Sequence, residues 1–189
     1  MRNLRFLFLD SNRLGPYLAK DFRGQIFKYS FNLKKLDLSH NGIKCLPPRI
    51  FSGLHKLQWL SLSKNRFTHF DSFLVYVPSI KYLDLSSNKS PALSKNVTIL
   101  LSKYVKQNLV HLNLTDNPFV CSCSTFSQSF LLWIRNFTSR KISGTDIYKY
   151  TCIDAINRTN KGNVVSMKIV DLNSCASIQK KVNYANWPI

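Results

Sequence analysis

Apolar residues along this chain fall into short runs with one recurring form: apolar, two variable positions, apolar, one variable position, apolar, two variable positions, then Asn. It occurs as LRFLFLDSN (4–12), LKKLDLSHN (33–41), LQWLSLSKN (57–65), IKYLDLSSN (80–88) and LVHLNLTDN (109–117). The five Asn are 29, 24, 23 and 29 residues apart. Each run predicts a brief strand, because strand side chains alternate and Leu36 and Leu38 then point to the same inner side. The closing Asn, such as Asn41, turns the chain while its amide bonds backbone groups left open at the bend. Apolar residues outside the strand, such as Ile43, Leu46, Phe51 and Leu54, fill the wedge behind it. The two 29-residue steps predict longer outer segments at 15–32 and 89–108, and VTILLSKYV (97–105) in the second reads as a short helix.

Self-similarity at this period is that of leucine-rich repeats. No single unit buries its own core, so neighbours must stack. The expected fold is α/β: a curved leucine-rich-repeat solenoid with a parallel sheet on its concave face. A solenoid needs polar or stapled ends. At the N-terminus Leu4, Leu7 and Leu9 begin a repeat directly, and Arg5 and Asp10 interrupt any leader-like apolar run. Exposing that apolar cross-section is unfavourable, so the chain is expected to be a fragment, or a reading frame that lost its upstream part.

The C-terminal end looks different. NPFVCSC (117–123) follows the fifth repeat, and Phe126, Phe130, Trp133, Ile134 and Phe137 then recur at helical spacing. Such a helix would lay an aromatic face over the open end of the solenoid. Cys152 and Cys175 come later. Four cysteines allow three connectivities, of which a Cys121–Cys123 bond is the least favoured. A CxC opening without CxxC spacing is a poor match to a zinc site, so no metal is expected. Cys45, the fifth cysteine, reads as a small residue at a variable loop position, with a disulfide to a missing partner as the alternative. In its NPFxCxC opening and two later cysteines the segment resembles leucine-rich-repeat C-terminal cap domains. That resemblance implies the pairs Cys121–Cys152 and Cys123–Cys175, each closing a loop of tens of residues worth about 3–4 kcal/mol. The expected organisation is five repeats without an N-terminal cap over 1–117, a cysteine-rich cap over 118–176, and a tail over 177–189.

From about 4 to 175, the order of repeats then NPFVCSC cap resembles the membrane-proximal end of a Toll-like receptor ectodomain. Within that family, LVHLNLTDNPFVCSC (109–123) and GNVVSMKIVDLNSC (162–175) are most similar to the endosomal, nucleic-acid-sensing branch. The resemblance implies recognition of a microbial or nucleic-acid ligand and pairing, through the C-terminal region, with a second copy or a related receptor chain. It also implies a place outside the cell or in the endosomal lumen. Family members continue into a membrane helix and a cytoplasmic TIR domain, whereas this sequence stops at Ile189. Membrane attachment would therefore come only through a segment that this chain lacks. The alternative is a secreted or cell-surface leucine-rich-repeat adhesion or matrix protein.

Composition narrows the chemistry. Lys and Arg number 27 against 9 acidic residues, a formal charge of +18. All nine acids are Asp, which excludes a paired-Glu site, and HExxH, GxxxxGK[ST] and GxGxxG are absent. No run reaches the roughly 18–20 apolar residues of a membrane-spanning helix. His40, His55, His69 and His111 fall in different repeats, and His40 and His111 are expected to project into solvent, so no Ser-His-Asp constellation is indicated. Neither an enzyme nor a cofactor is expected. Residues 1–117 carry 18 basic and 6 acidic side chains and the remainder 9 and 3. So distributed, the excess should attract polyanions: nucleic acid, sulfated glycans or anionic lipid.

In register, the repeats place Phe6, Lys35, Trp59, Tyr82 and His111 in one outward column. Arg5, Lys34, Gln58, Lys81 and Val110 precede it at the strand starts. Cations interleaved with aromatics suit bases and phosphates. They equally suit a protein surface, and an ordinary solvated strand face is the competing reading. Candidate glycan acceptors are Asn88, Asn96, Asn113, Asn136 and Asn157, with Pro91 after Ser90 making Asn88 a poor one. Clustered cysteines and sequons point together to the secretory route. A glycan on Asn113 would obstruct the concave face beside the cap.

Overall fold

The computed structural model describes residues 2–70, 73–122, 125–138, 151–154 and 164–166. Five strands of three residues each, β1 (Phe6–Phe8), β2 (Lys35–Asp37), β3 (Trp59–Ser61), β4 (Tyr82–Asp84) and β5 (His111–Asn113), form a parallel sheet in sequence order. The register joins Phe6 to Lys35, Lys35 to Trp59, Trp59 to Tyr82 and Tyr82 to His111. The solenoid expected from the repeat is therefore present, with the outward column in the expected order. Leu36, Leu38, Leu60, Leu62, Leu83, Leu85, Leu112 and Leu114 are fully buried on the inner side. Leu4, Leu7 and Leu9 in the first repeat are only partly buried against the same core.

Behind the sheet a run of phenylalanines fills the wedge. Phe51 bridges Phe27, at a centroid distance of 6.1 Å, and Phe73, at 5.7 Å edge-on. Phe67 joins Phe73 at 5.6 Å and Phe70 at 5.5 Å. The first long outer segment holds only one helical turn, α1 (Gly15–Leu18), begun by Pro16, whose fixed φ suits a first turn. The second holds α2 (Lys95–Gln107), longer at both ends than the expected 97–105. Ser94 caps it by accepting from the Val97 N–H at 3.3 Å. Tyr104 on its inner face donates its hydroxyl to the Leu74 carbonyl at 2.7 Å, and burial pushes that phenol up to about 12.

Asparagine fixes the turns. Asn65 donates its amide to the carbonyls of Leu38, Leu62 and Ser63 at 2.9–3.2 Å and accepts from the Asn41 and Ile43 N–H groups at 3.0 Å. Asn41, Asn88 and Asn117 make the same kind of bridge to the repeat before them. The residue preceding each Asn (Ser11, His40, Lys64, Ser87 and Asp116) has φ between 52° and 57°, so the same left-handed turn recurs five times. The ladder satisfies buried backbone groups that a turn would otherwise leave open.

After the fifth repeat, β6 (Val120–Cys121) pairs in parallel with β7 (Thr151–Asp154), which pairs antiparallel with β8 (Val164–Ser166). The helix expected over the open end is α3 (Thr125–Thr138). Its Phe130 and Ile134 are buried, with Phe130 4.9 Å from Phe119. Trp133 donates its indole N–H to the Ser102 hydroxyl of α2 at 2.8 Å, tying cap to solenoid. Cys121 and Cys152 are disulfide-bonded, with Cα atoms 5.7 Å apart, and Cys45 is a free, exposed thiol. Cys123, Cys175, the tail 177–189 and the side chains of Phe126 and Phe137 lie outside the description. Among the described residues no helix is long and apolar enough to cross a membrane.

Candidate functional site

The parallel register turns the outward column into a continuous strip. Trp59 and Tyr82 stack with centroids 5.1 Å apart and planes 13° from parallel. Tyr82 and His111 stack more closely, at 4.1 Å and 2°. At the other end the Lys35 ammonium stands over the Phe6 ring, 5.7 Å from its centroid. Aromatic contacts of this kind contribute about 0.5–1.5 kcal/mol each beyond their buried area. Phe6 and Lys35 are exposed, and the next three members are half-buried by one another.

His111 therefore corrects the expectation of a solvent-projecting side chain. It is pressed against Tyr82, and burial holds its imidazole below the usual histidine range, an effect that the nearby Asp84 charge opposes. The Tyr82 phenol is pushed up, first by burial and then by Asp84 and Asp37. Of the other histidines, His40 occupies an exposed left-handed turn, and His55 and His69 are exposed elsewhere.

The strand-start column is also in register, because each carbonyl there bonds across to the next repeat. The Arg5 carbonyl accepts from Lys34 and Lys35, that of Lys34 from Gln58 and Trp59, that of Gln58 from Lys81 and Tyr82, and that of Lys81 from Val110 and His111. Arg5, Lys34 and Lys81 thus present exposed cations along one edge of the stack, ending at Val110, which is 61% exposed. A third column, passed over in reading the sequence, lies on the opposite edge: Phe8, Asp37, Ser61, Asp84 and Asn113, with Ser61 buried. The motif marks it, since Asp or Asn recurs two residues after the column member in three repeats. There the side-chain oxygen accepts from the N–H two residues on: Asp37 from Ser39 at 2.9 Å, Asp84 from Ser86 at 3.0 Å and Asn113 from Thr115 at 3.2 Å. The strip is therefore aromatic in the middle, cationic at the strand starts and acidic or amidic at the strand ends.

Among the candidate acceptors, Asn96 on α2 and Asn136 on α3 are exposed, and Asn113 sits half-buried on the concave face. Asn157 lies outside the description. Asn88 is corrected: it is 3% exposed, donates to the carbonyls of Leu62, Leu85 and Ser86, and accepts from the Phe67 N–H at 3.1 Å. A ladder asparagine has neither room nor a spare N–H for a glycan in the folded chain.

A leucine-rich repeat family model matches residues 19–67 and 31–89. The chain is 32% identical to Toll-like receptor 4 of Pinctada imbricata over 162 residues, covering 85% of this chain and 17% of that receptor. It is 33% identical to human Toll-like receptor 5 over 151 residues (77% and 16%), and 32% identical to mouse Toll-like receptor 7 over 205 (80% and 19%). The chain thus spans about a sixth of the length of these relatives. Receptors of three different numbers match at nearly equal identity, so the expected nucleic-acid-sensing branch is not singled out. Among solved structures, human trophoblast glycoprotein superimposes with a TM-score of 0.63 at 19% identity, over 92% of this chain and 69% of that one. Mouse RP105, solved in complex with MD-1, does so with a TM-score of 0.54 at 23% identity, over 77% and 22%. These last two likenesses concern the fold. With the repeat motif, the sheet register, the disulfide-bonded cap and the receptor relatives in agreement, the chain belongs to the leucine-rich-repeat proteins of the Toll-like receptor ectodomain type.

Proposed function

We propose that this chain is ligand-binding ectodomain of a Toll-like innate immune receptor and that the concave strip is its contact surface. The observation that carries this reading is the Trp59–Tyr82–His111 stack, a row of rings held in register by the sheet with cations along one edge. Flat groups of a ligand would pack against the outward ring edges of the stack while its anionic groups meet Arg5, Lys34 and Lys81. A nucleic-acid strand has both features, and a microbial protein surface with aromatic and acidic groups is the other ligand of this kind. Asp37 and Asp84 keep phosphates away from the strand ends, which gives the ligand one orientation across the strip. Two ligand-bound copies, or one with a related receptor chain, would then pair through their C-terminal regions. Mouse RP105, which shares this fold, was solved in complex with MD-1, a precedent for partner binding by such a solenoid. The surroundings would be extracellular or lumenal, in keeping with the disulfide. No catalytic step is part of this reading.

The test uses fluorescence anisotropy of labelled single-stranded oligonucleotides with the secreted chain and its Trp59→Ala and Tyr82→Ala variants. Loss of one stacking base contact lowers affinity by roughly tenfold. Binding that neither variant weakens overturns the concave assignment for nucleic acid. Light scattering with and without ligand reads the pairing. A mass that stays monomeric at saturating ligand overturns ligand-driven dimerisation and favours the adhesion-protein alternative.

A further inference from the structure

A second surface lies away from the strip, on the turns where the chain leaves the strands. An open hollow of about 720 Å³ crosses four successive repeats there, and its cationic lining is Arg13, Lys64, Arg66 and Lys89, with His40 between. All five side chains are exposed, and among the described residues no carboxylate lines the hollow. The row has a structural cause. Arg13, Gly42, Arg66 and Lys89 each follow a ladder asparagine, while His40 and Lys64 each precede one. Stacking the repeats therefore brings side chains distant in sequence into rows. The backbone beneath them is pinned: Lys64 N–H donates to the Ser86 carbonyl at 3.0 Å, Arg66 N–H to Ile43 at 2.8 Å and Lys89 N–H to Phe67 at 2.8 Å. Gly42, with φ 67° and open space where a side chain would stand, leaves a gap in the row between Arg13 and Arg66. The row ends at the fifth repeat, where Asp116 accepts from the Ser87 hydroxyl at 3.4 Å and Pro118 takes the position of the cations.

We propose that this groove binds a sulfated polysaccharide chain. Cations on a pinned backbone meet a linear anion without first having to be ordered, and each neutralised anionic group releases counterions. Among the described residues the lining holds no aromatic ring beyond the His40 imidazole, so it lacks the rings that single-stranded nucleic acid stacks on. Guanidinium and ammonium groups suit sulfates instead. The site is distinct from the concave strip and does not depend on that reading.

The test measures binding of size-defined heparin oligosaccharides by surface plasmon resonance over a range of salt. It compares the secreted chain with the triple variant Arg13→Ser/Arg66→Ser/Lys89→Ser and with Arg5→Ser/Lys34→Ser/Lys81→Ser, which removes the same charge at the strand starts. Circular dichroism melting checks the fold of each. The expected result is a loss of roughly tenfold or more, with a salt slope shallower by about two to three, for the groove variant only. Equal loss in both variants would mean attraction by net charge alone and overturns the site. Desulfated heparin binding as well as the sulfated form overturns the ligand class, as does a single-stranded oligonucleotide of equal charge that binds as tightly and is lost with the same groove variant. Trp59→Ala leaves heparin binding unchanged, so failure of the concave reading and failure of this one are seen separately.

Discussion

Tyr82 and His111 lie face to face, with ring centroids 4.1 Å apart and planes 2° from parallel, although 29 positions separate them in the chain. The contact exists because β4 and β5 are paired in parallel with these two residues opposite one another. It places a titratable ring where water is partly excluded, and that has a consequence for stability.

Burial holds the His111 imidazole below its ordinary value of 6.5, with Asp84 opposing the shift. As pH falls through 6.5 the unfolded chain takes up this proton first, so the folded state is penalised. The contribution is fully present above that value and is lost as pH falls towards the lower folded value. His111→Gln should therefore lose less Tm than the parent chain between about pH 8 and pH 5, measured by circular dichroism. Identical pH profiles would show that His111 titrates as freely as it does when unfolded.

The turns carry a larger stake. Asn65 is buried and makes three donated and two accepted hydrogen bonds to backbone groups of its own and the preceding repeat. Asn12 holds the same motif position but is exposed and bonds only the carbonyls of Leu9 and Asp10. Asn65→Ala leaves several buried groups open and should cost about 3–5 kcal/mol, against about 1 kcal/mol or less for Asn12→Ala. Urea unfolding of the two variants makes the comparison. Similar losses would mean that the bridge between repeats is not what stabilises the turn.

The repeat is legible in sequence because Leu36, Leu38 and their counterparts obey a strict local rule, and register follows once five copies are aligned. Asn88 marks the limit of that reading. The same residue satisfies the repeat motif and a glycan sequon, and only the three-dimensional ladder decides between them. Asp37 and Asp84 were readable as a column, yet their bonds to the N–H two residues on, and their pull on Tyr82, require the folded turn. The row of Arg13, Arg66 and Lys89 is hidden for another reason. These residues follow the motif rather than belong to it, and in the second repeat a glycine breaks the series.

The cap provides a sharp contrast between cysteines. Cys121 and Cys152 are buried and bonded across 31 residues, while Cys45 is exposed and free. Cys152→Ser should destabilise the chain by about 2–4 kcal/mol, whereas Cys45→Ser should be close to neutral. Non-reducing peptide mapping should recover the Cys121–Cys152 pair and, by the family resemblance, Cys123–Cys175, with Cys45 alkylated. A cross-link from Cys45 to any of the other four would refute the pairing.

Glycan occupancy tests the ladder chemically. Asn88 lies 3% exposed with its amide donating to three carbonyls, whereas Asn96 is exposed in the first turn of α2. A glycan on Asn88 would replace one of the two amide N–H groups that hold its turn, and its bulk would force the fourth repeat away from the third. Chains secreted from a eukaryotic cell should therefore carry no glycan at Asn88, while Asn96 remains open to one. Mass spectrometry of glycopeptides gives the occupancy of each site. Asn88→Gln supplies the second arm: its longer side chain cannot reproduce the ladder geometry, so secretion should fall with no change in the glycan mass of the chains that emerge. Occupied Asn88 in well-secreted, cooperatively melting protein would contradict the buried ladder at that repeat.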